Sequence, residues 1–173
     1  MIDYKVIENN GAKGHHWMAQ QIPQYQPLSR INFSLLMVRI VTALIFFMHG
    51  YQKLFDDGLS VTQDNFDAMG VPLPGLTSIL AIVIELVGGL LLFSGIYTRF
   101  VSFLFGIEMI VAFIFVHVEH GFFVANGGFE LVLLLATVSF ALVIAGGGNY
   151  STDVAFRLPY SEDWKTLVTA RGR

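Results

Sequence analysis

The chain has 173 residues, of which 54% are hydrophobic and only 13% are charged. Soluble domains usually carry about 25% charged residues, so this composition lacks the polar surface of a soluble domain and favours a membrane protein. The net charge of -3 offers no basic face for nucleic acid. The absence of cysteine excludes structural disulfides, iron–sulfur ligation by thiolates and covalent haem attachment. Any redox role therefore requires a non-covalent carrier or the cofactor of a partner.

The first 30 residues contain scattered charges and prolines, and they lack a long apolar run. This pattern is unlike a secretory signal. It predicts a cytoplasmic N-terminal tail over 1–30.

Four apolar stretches are each long enough, at about 20 residues, to cross the hydrocarbon core of a bilayer as a helix. They show neither the polar stripe of soluble helices nor the period-two alternation of membrane strands. The sequence therefore predicts an all-α integral membrane protein with an antiparallel four-helix bundle over 31–148. The predicted spans are 33–55, 76–97, 100–117 and 128–145.

Two further segments have helical character. A short surface helix is predicted over 61–69, between the first two spans. A cytoplasmic tail is predicted over 149–173, where Ser151–Asp153 offers caps for a short helix. The region around Trp164 is either an interfacial amphipathic helix or a loose tail.

Basic residues indicate the orientation of the bundle, because they are enriched in cytoplasmic loops. With four spans, both tails and the turn at 95–99 lie on one side, which carries nearly all of the lysines and arginines. The opposite side carries only Lys53. Both chain ends are therefore predicted to be cytoplasmic, in a multi-pass protein surrounded by membrane lipid.

Several ionisable side chains fall inside the predicted spans, where each costs roughly 2.5–3.5 kcal/mol and is seldom kept unless paired or used. At about 1.5 Å of rise per residue, Glu85 and Glu108 both lie near the midplane. On the first span, Arg39, His49 and Lys53 share one face. Glu85 is expected to be neutral unless one of these three side chains reaches it.

Together these groups predict a polar pocket that opens to the outer side above an apolar, aromatic floor. Such a pocket suits a quinone ring, with His49 and Glu85 as catalytic groups that exchange protons. Arg39 and Lys53 would supply charge balance. The alternative is that these side chains are only interhelical hydrogen-bonding groups, and that Glu108 contacts a partner helix.

A second candidate site lies at the outer end of the third span. His117 and His120 are three residues apart, a spacing that can bind a metal ion from one helix end. His49 or Glu130 could supply a further ligand. The alternative is that these histidines simply form a polar edge at the membrane surface.

Several short motifs lie between residues 36 and 156. They are Arg39, HGYQKL at 49–54, FDAMGVPLP at 66–74, ELVGG at 85–89, GIYTR at 95–99, HGFF at 120–123 and GGFE at 127–130. Together they resemble the DoxX family of small four-helix membrane proteins. The resemblance implies a bacterial or archaeal cell membrane and an association with redox systems. The family positions that match, and that imply a shared cofactor-binding site, are Arg39, His49, Lys53, Glu85 and Glu130.

The leading functional hypothesis is a quinone-interacting membrane component of an oxidoreductase or detoxification system. Because the chain has no cofactor motif of its own, a protein partner subunit is expected. One rival is a non-enzymatic scaffold or assembly subunit, and another is a small transporter or metal-handling protein. A homo-oligomer is compatible with each hypothesis.

Overall fold

The computed structural model describes residues 28–155, and the predictions for the remainder of both tails lie outside these residues. Within this range every regular element is helical and there is no strand. The predicted all-helical class is confirmed for this part of the chain. In chain order the helices are α1 (Leu28–Tyr51), α2 (Leu59–Ala68), α3 (Pro74–Ser94), α4 (Thr98–Ala112), α5 (Glu130–Ala145) and α6 (Thr152–Ala155).

Two of the long helices end in a π-helical turn. α1 continues through Gln52–Asp56, and α4 continues through Phe113–His117 and then a 3-10 turn, Val118–His120. The first π turn closes with a hydrogen bond from the Asp57 amide to the Gln52 carbonyl at 2.9 Å. Single π turns in α-helices frequently occur at functional sites, so both helix ends are candidate positions for a site.

Three helical stretches in the described range are long and apolar enough to cross a membrane: Arg30–Asp56, Pro74–Ser94 and Thr98–His120. α5 is also apolar but has only 16 residues. A helix of that length rises about 24 Å, which is shorter than the roughly 30 Å hydrocarbon core. The bundle therefore has three full-length apolar helices and one shorter one.

Glycines bring the long helices close together. A Cβ placed on Gly89 of α3 would lie 2.8 Å from the Phe47 Cβ and 3.1 Å from the Ala43 carbonyl oxygen, both on α1. On α4, a Cβ on Gly106 would lie 2.8 Å from the ring of Phe140 on α5. Small residues allow this close packing in membranes, where lipid is as apolar as the helix surfaces. α1 accordingly packs mainly on α3, and α4 mainly on α5.

Replacing Gly89 by alanine is expected to lower the free energy of unfolding by about 1–3 kcal/mol. The added methyl group meets backbone atoms of α1, which cannot rotate away. Unfolding by sodium dodecyl sulfate in mixed micelles would measure the change. Gly75→Ala is the matched control, because a Cβ there meets no atom within 4 Å. Equal stability of the two variants would show that the α1–α3 interface tolerates a wider separation.

The centre of the bundle is an aromatic stack. The rings of Phe46 on α1 and Phe105 on α4 lie 3.7 Å apart and almost parallel, and both side chains are fully buried. Phe46 is seven residues from Arg39 and seven from Lys53. The apolar core therefore separates Arg39 from Lys53. The buried hydrophobic cluster comprises Ala43, Phe46, Leu92, Val101, Phe105, Met109, Val132, Leu135 and Leu142.

Candidate functional site

A buried ion pair joins α1 to α3. The Nζ of Lys53 lies 2.6 Å from Oε1 and 2.7 Å from Oε2 of Glu85. The Lys53 side chain is 23% exposed and that of Glu85 only 4%. Glu85 lies about 16 Å along α3 from Pro74, halfway through the helix. The sequence predicted a neutral Glu85 unless Arg39, His49 or Lys53 reached it, and Lys53 is the side chain that does so.

Local structure positions both partners of this ion pair. Lys53 lies in the π turn that ends α1. The Thr62 hydroxyl of α2 donates to the Lys53 carbonyl at 2.9 Å, which ties α2 to this turn. A Cβ on Gly50 would lie 2.8 Å from the Glu85 Cβ, so only glycine lets α1 approach α3 so closely here. The short surface helix predicted over 61–69 corresponds to α2 (Leu59–Ala68), and α2 supports the ion pair through Thr62.

Glu108 of α4 joins this pair. Its carboxyl lies beside that of Glu85 and within electrostatic range of Lys53. Helix packing brings it there: Gly88 contacts the Phe105 ring, at 3.1 Å for an added Cβ, and Glu85 and Glu108 are each three residues away from this contact. The Oε2 of Glu108 is buried and has no hydrogen-bond partner. We call Lys53, Glu85 and Glu108 the carboxyl cluster.

His49 lies at the edge of the carboxyl cluster. Its side chain is exposed, one helical turn before Lys53. It is within electrostatic range of both Lys53 and Glu85, but it makes no hydrogen bond to a described residue. Phe46, on the same face of α1, is buried against α4. The imidazole therefore lies beside the ion pair on an uncovered part of the surface.

Arg39 lies near the middle of α1, about 21 Å before Lys53 along the helix. The side chain is buried and donates to the Gly147 carbonyl at 3.1 Å and the Tyr150 carbonyl at 2.8 Å. The structure does not bring Arg39 to Glu85, so it supplies no charge balance to the predicted pocket. Helical spacing placed Arg39 on the correct face, but its partners come from the segment after α5.

Asp153 completes this second polar site. Its carboxylate accepts hydrogen bonds from the Tyr97 amide at 2.7 Å and the Thr98 amide at 2.9 Å. It therefore caps α4 and also interacts electrostatically with Arg39. Thr152 donates to the Ser94 carbonyl at 2.6 Å, at the end of α3. The predicted caps thus serve α3 and α4. We call Arg39, Asp153 and the segment 147–150 the Arg39 clamp.

The outer histidines are placed differently from one another. His117 donates from Nδ1 to the Gly127 carbonyl at 2.6 Å, whereas His120 is exposed. A cavity of about 250 Å³ lies at this end of the bundle. Its lining residues are Met69, Ile114, Phe115, Val116, Val118, Glu119 and His120.

The part of the chain that the structure describes contains no group of three metal-ligating side chains. Glu130, at the start of α5, donates from its amide to the Phe122 carbonyl at 2.9 Å. Its carboxylate forms no ion pair with a described residue. The metal site predicted at His117 and His120 stays a prediction, and these residues offer no third ligand to support it.

Sequence comparison places the chain among known membrane proteins. A family profile, DoxX, matches residues 34–118. An uncharacterized protein of Haemophilus influenzae is 36% identical over 139 residues, covering 78% of this chain and 96% of the relative. The Bacillus subtilis protein named "Putative oxidoreductase CatD" is 37% identical over 107 residues, covering 62% and 76%. No solved structure matches the chain.

A third relative is named as an inner membrane protein. The Escherichia coli "Inner membrane protein YqjF" is 32% identical over 126 residues, covering 70% of this chain and 91% of the relative. The profile match contains all three members of the carboxyl cluster and Arg39. The apolar helices and these relatives show that the chain is a membrane protein and that it belongs to the DoxX family.

Proposed function

We propose that this protein is a small membrane component of a quinone-linked oxidoreductase or detoxification system in the bacterial inner membrane. Two relatives support this assignment through their names, one as an oxidoreductase and one as an inner membrane protein. The protein would act with a partner subunit that carries the redox cofactor, because this chain has no cysteine. This chain itself would bind the quinone and exchange protons with it.

We also propose that the long helices run antiparallel, with both chain ends in the cytoplasm. Gly89 of α3 meets Phe47 of α1, whereas Glu85, earlier in α3, meets Gly50, later in α1. This order of contacts supports opposite directions for the two helices. The Arg39 clamp joins the first half of α1 to the segment that follows α5. In the sequence most of the lysines and arginines lie in the two tails and in the turn at 95–99, and basic residues are enriched in cytoplasmic loops.

The observation that carries the functional proposal is the exposed His49 beside the buried ion pair of Lys53 and Glu85. A quinone ring offers carbonyl acceptors on an apolar body and takes up two protons with two electrons on reduction. His49 has the donor for a carbonyl oxygen, and its exposed position permits contact with a lipid-soluble ring. Lys53 and Glu85 supply adjacent ionisable groups for proton exchange. The electrons would come from the partner subunit.

Co-purification tests this proposal directly. We expect mass spectrometry of the detergent-purified protein to find quinone in near-stoichiometric amount, and to find at least tenfold less, roughly 1.4 kcal/mol of binding, in His49→Ala and Glu85→Gln. Glu119→Gln is the matched control, because Glu119 is an exposed carboxylate outside the cluster. Circular dichroism would verify helicity. Quinone retained by both variants, or absent from the wild-type protein, would contradict the proposal.

A scaffold or assembly role is the second candidate. The Arg39 clamp favours it, because there a buried charge joins α1 to the segment after α5 through hydrogen bonds to two main-chain carbonyls. Under this hypothesis, recovery of a co-purifying partner subunit would not depend on whether His49→Ala and Glu85→Gln retain quinone. The partner would instead be lost when residues on the protein surface are changed. Comparing partner recovery in the same purifications separates the two candidates.

A further inference from the structure

The carboxyl cluster has one more acid than it has bases. Lys53 carries one positive charge, and Glu85 and Glu108 would together carry two negative charges if both were ionised. Both short contacts of the ammonium group go to the two oxygens of Glu85. The Oε2 of Glu108 is buried without any hydrogen-bond partner. A carboxylate left in that state at bilayer depth is costly, and two adjacent carboxylates cannot readily both be ionised.

We propose that Glu85, Glu108 and Lys53 form a proton-binding site in the membrane core, in which the two carboxyls hold one proton between them. The proton makes the cluster neutral and gives one carboxyl an O–H with which to donate to the other. The reaction is simple addition of a proton to a carboxylate and requires no oxidant or reductant. Nothing in this inference depends on quinone binding, so the two proposals can fail separately.

No other described charge removes the excess. His49 on α1 lies within electrostatic range of Lys53 and Glu85, but its exposed ring makes no ion pair. α2 contributes the Thr62 hydroxyl, which donates to the carbonyls of Lys53 and Gly58. α5 offers no cation to the cluster, because its only charged side chain is that of Glu130.

The site also has a route for proton exchange. Glu85 is buried, but the Lys53 side chain bound to it is 23% exposed, and His49 beside them is exposed. Phe46 and Phe105 close the inner side with a fully buried ring stack. A proton would therefore enter from the side of the π turn that carries Lys53, and the aromatic stack would block its passage to the Arg39 clamp.

Infrared spectroscopy of the full chain in lipid nanodiscs tests the site without a ligand. We expect a C=O stretching band of one protonated carboxyl at neutral pH, which shifts in D2O. Glu108→Gln should abolish it, because Glu85 then pairs alone with Lys53. Glu85→Gln should also abolish it, because Lys53 is then free to pair with Glu108. Lys53→Met should increase it about twofold, since neither carboxyl then has a cation.

The matched control is Glu119→Gln, which should leave the band unchanged because Glu119 is exposed. A wild-type spectrum without the band would overturn the proposal, and so would a band that persists in both carboxyl variants. Repeating the measurement in sodium chloride and in choline chloride tests a metal cation as the alternative occupant. A band that appears only when sodium is absent would show that a sodium ion, and not a proton, occupies the site, and would overturn the proposal. Unaltered circular dichroism establishes that each variant is folded.

Discussion

Replacing Lys53 by methionine is expected to lower the free energy of unfolding by about 3–5 kcal/mol, the usual cost of removing one partner from a buried ion pair. Methionine preserves most of the side-chain length but leaves Glu85, which is only 4% exposed, without its cation. Glu85 must then stay ionised without a partner or bind a proton at a free-energy cost. Either outcome destabilises the folded bundle relative to the unfolded chain.

Unfolding by sodium dodecyl sulfate in mixed micelles measures this loss, with Gln52→Met as the control. Gln52 is an exposed neighbour in the same π turn, so this control makes the same apolar replacement without removing a charge. The double variant Lys53→Met/Glu85→Gln should recover much of the stability, because no unpaired charge then remains in it at position 85. If Lys53→Met proves as stable as Gln52→Met, the ion pair does not stabilise the bundle.

Replacing Asp153 by alanine is expected to lower the free energy of unfolding by about 1–2 kcal/mol, the usual cost of removing a helix N-cap, and it also removes a favourable electrostatic interaction with the buried Arg39. The same change removes both hydrogen bonds that cap α4 at Tyr97 and Thr98. Tyr97 has a left-handed backbone, with φ 50°, which is unfavourable for a residue with a side chain. Without the carboxylate, we expect the turn before α4 to relax and the helix to fray.

Hydrogen exchange of the Tyr97 and Thr98 amides, measured with the unfolding midpoint, distinguishes a local effect from a global one. Asp64→Ala, at an exposed position on α2, is the control for loss of a surface carboxylate. Asp153→Asn should be intermediate, because the amide oxygen still accepts one hydrogen bond but the charge is gone. Unchanged protection in Asp153→Ala would mean that the cap contributes nothing to α4.

The sequence was sufficient to identify the polar residues that carry the two buried sites, because hydrocarbon depth makes an ionisable side chain conspicuous. Helical spacing offered Arg39, His49 and Lys53 as possible partners of Glu85, and only the packing of α1 on α3 selects Lys53. The role of Glu108 was left open, because the rotation of α4 against α3 depends on how Gly88 packs on Phe105. That packing is a property of the assembled bundle.

Arg39 shows a different limit of sequence reasoning. Its partners are main-chain carbonyls of Gly147 and Tyr150, and carbonyls leave no residue-type signature. The π turn that holds Lys53 was also unforeseen, because a regular period of 3.6 residues was assumed for the whole first span.

The Arg39 clamp has a consequence for biogenesis. Arg39 lies in α1, and the Gly147 carbonyl that it binds is 108 residues later in the chain, roughly 5 to 20 s at usual translation rates. During that interval the guanidinium has to remain hydrated at the membrane surface or be held by the insertion machinery. Final seating of α1 therefore follows the emergence of α5, and a ribosome stalled before codon 147 would present a nascent chain in which α1 is not yet locked in place.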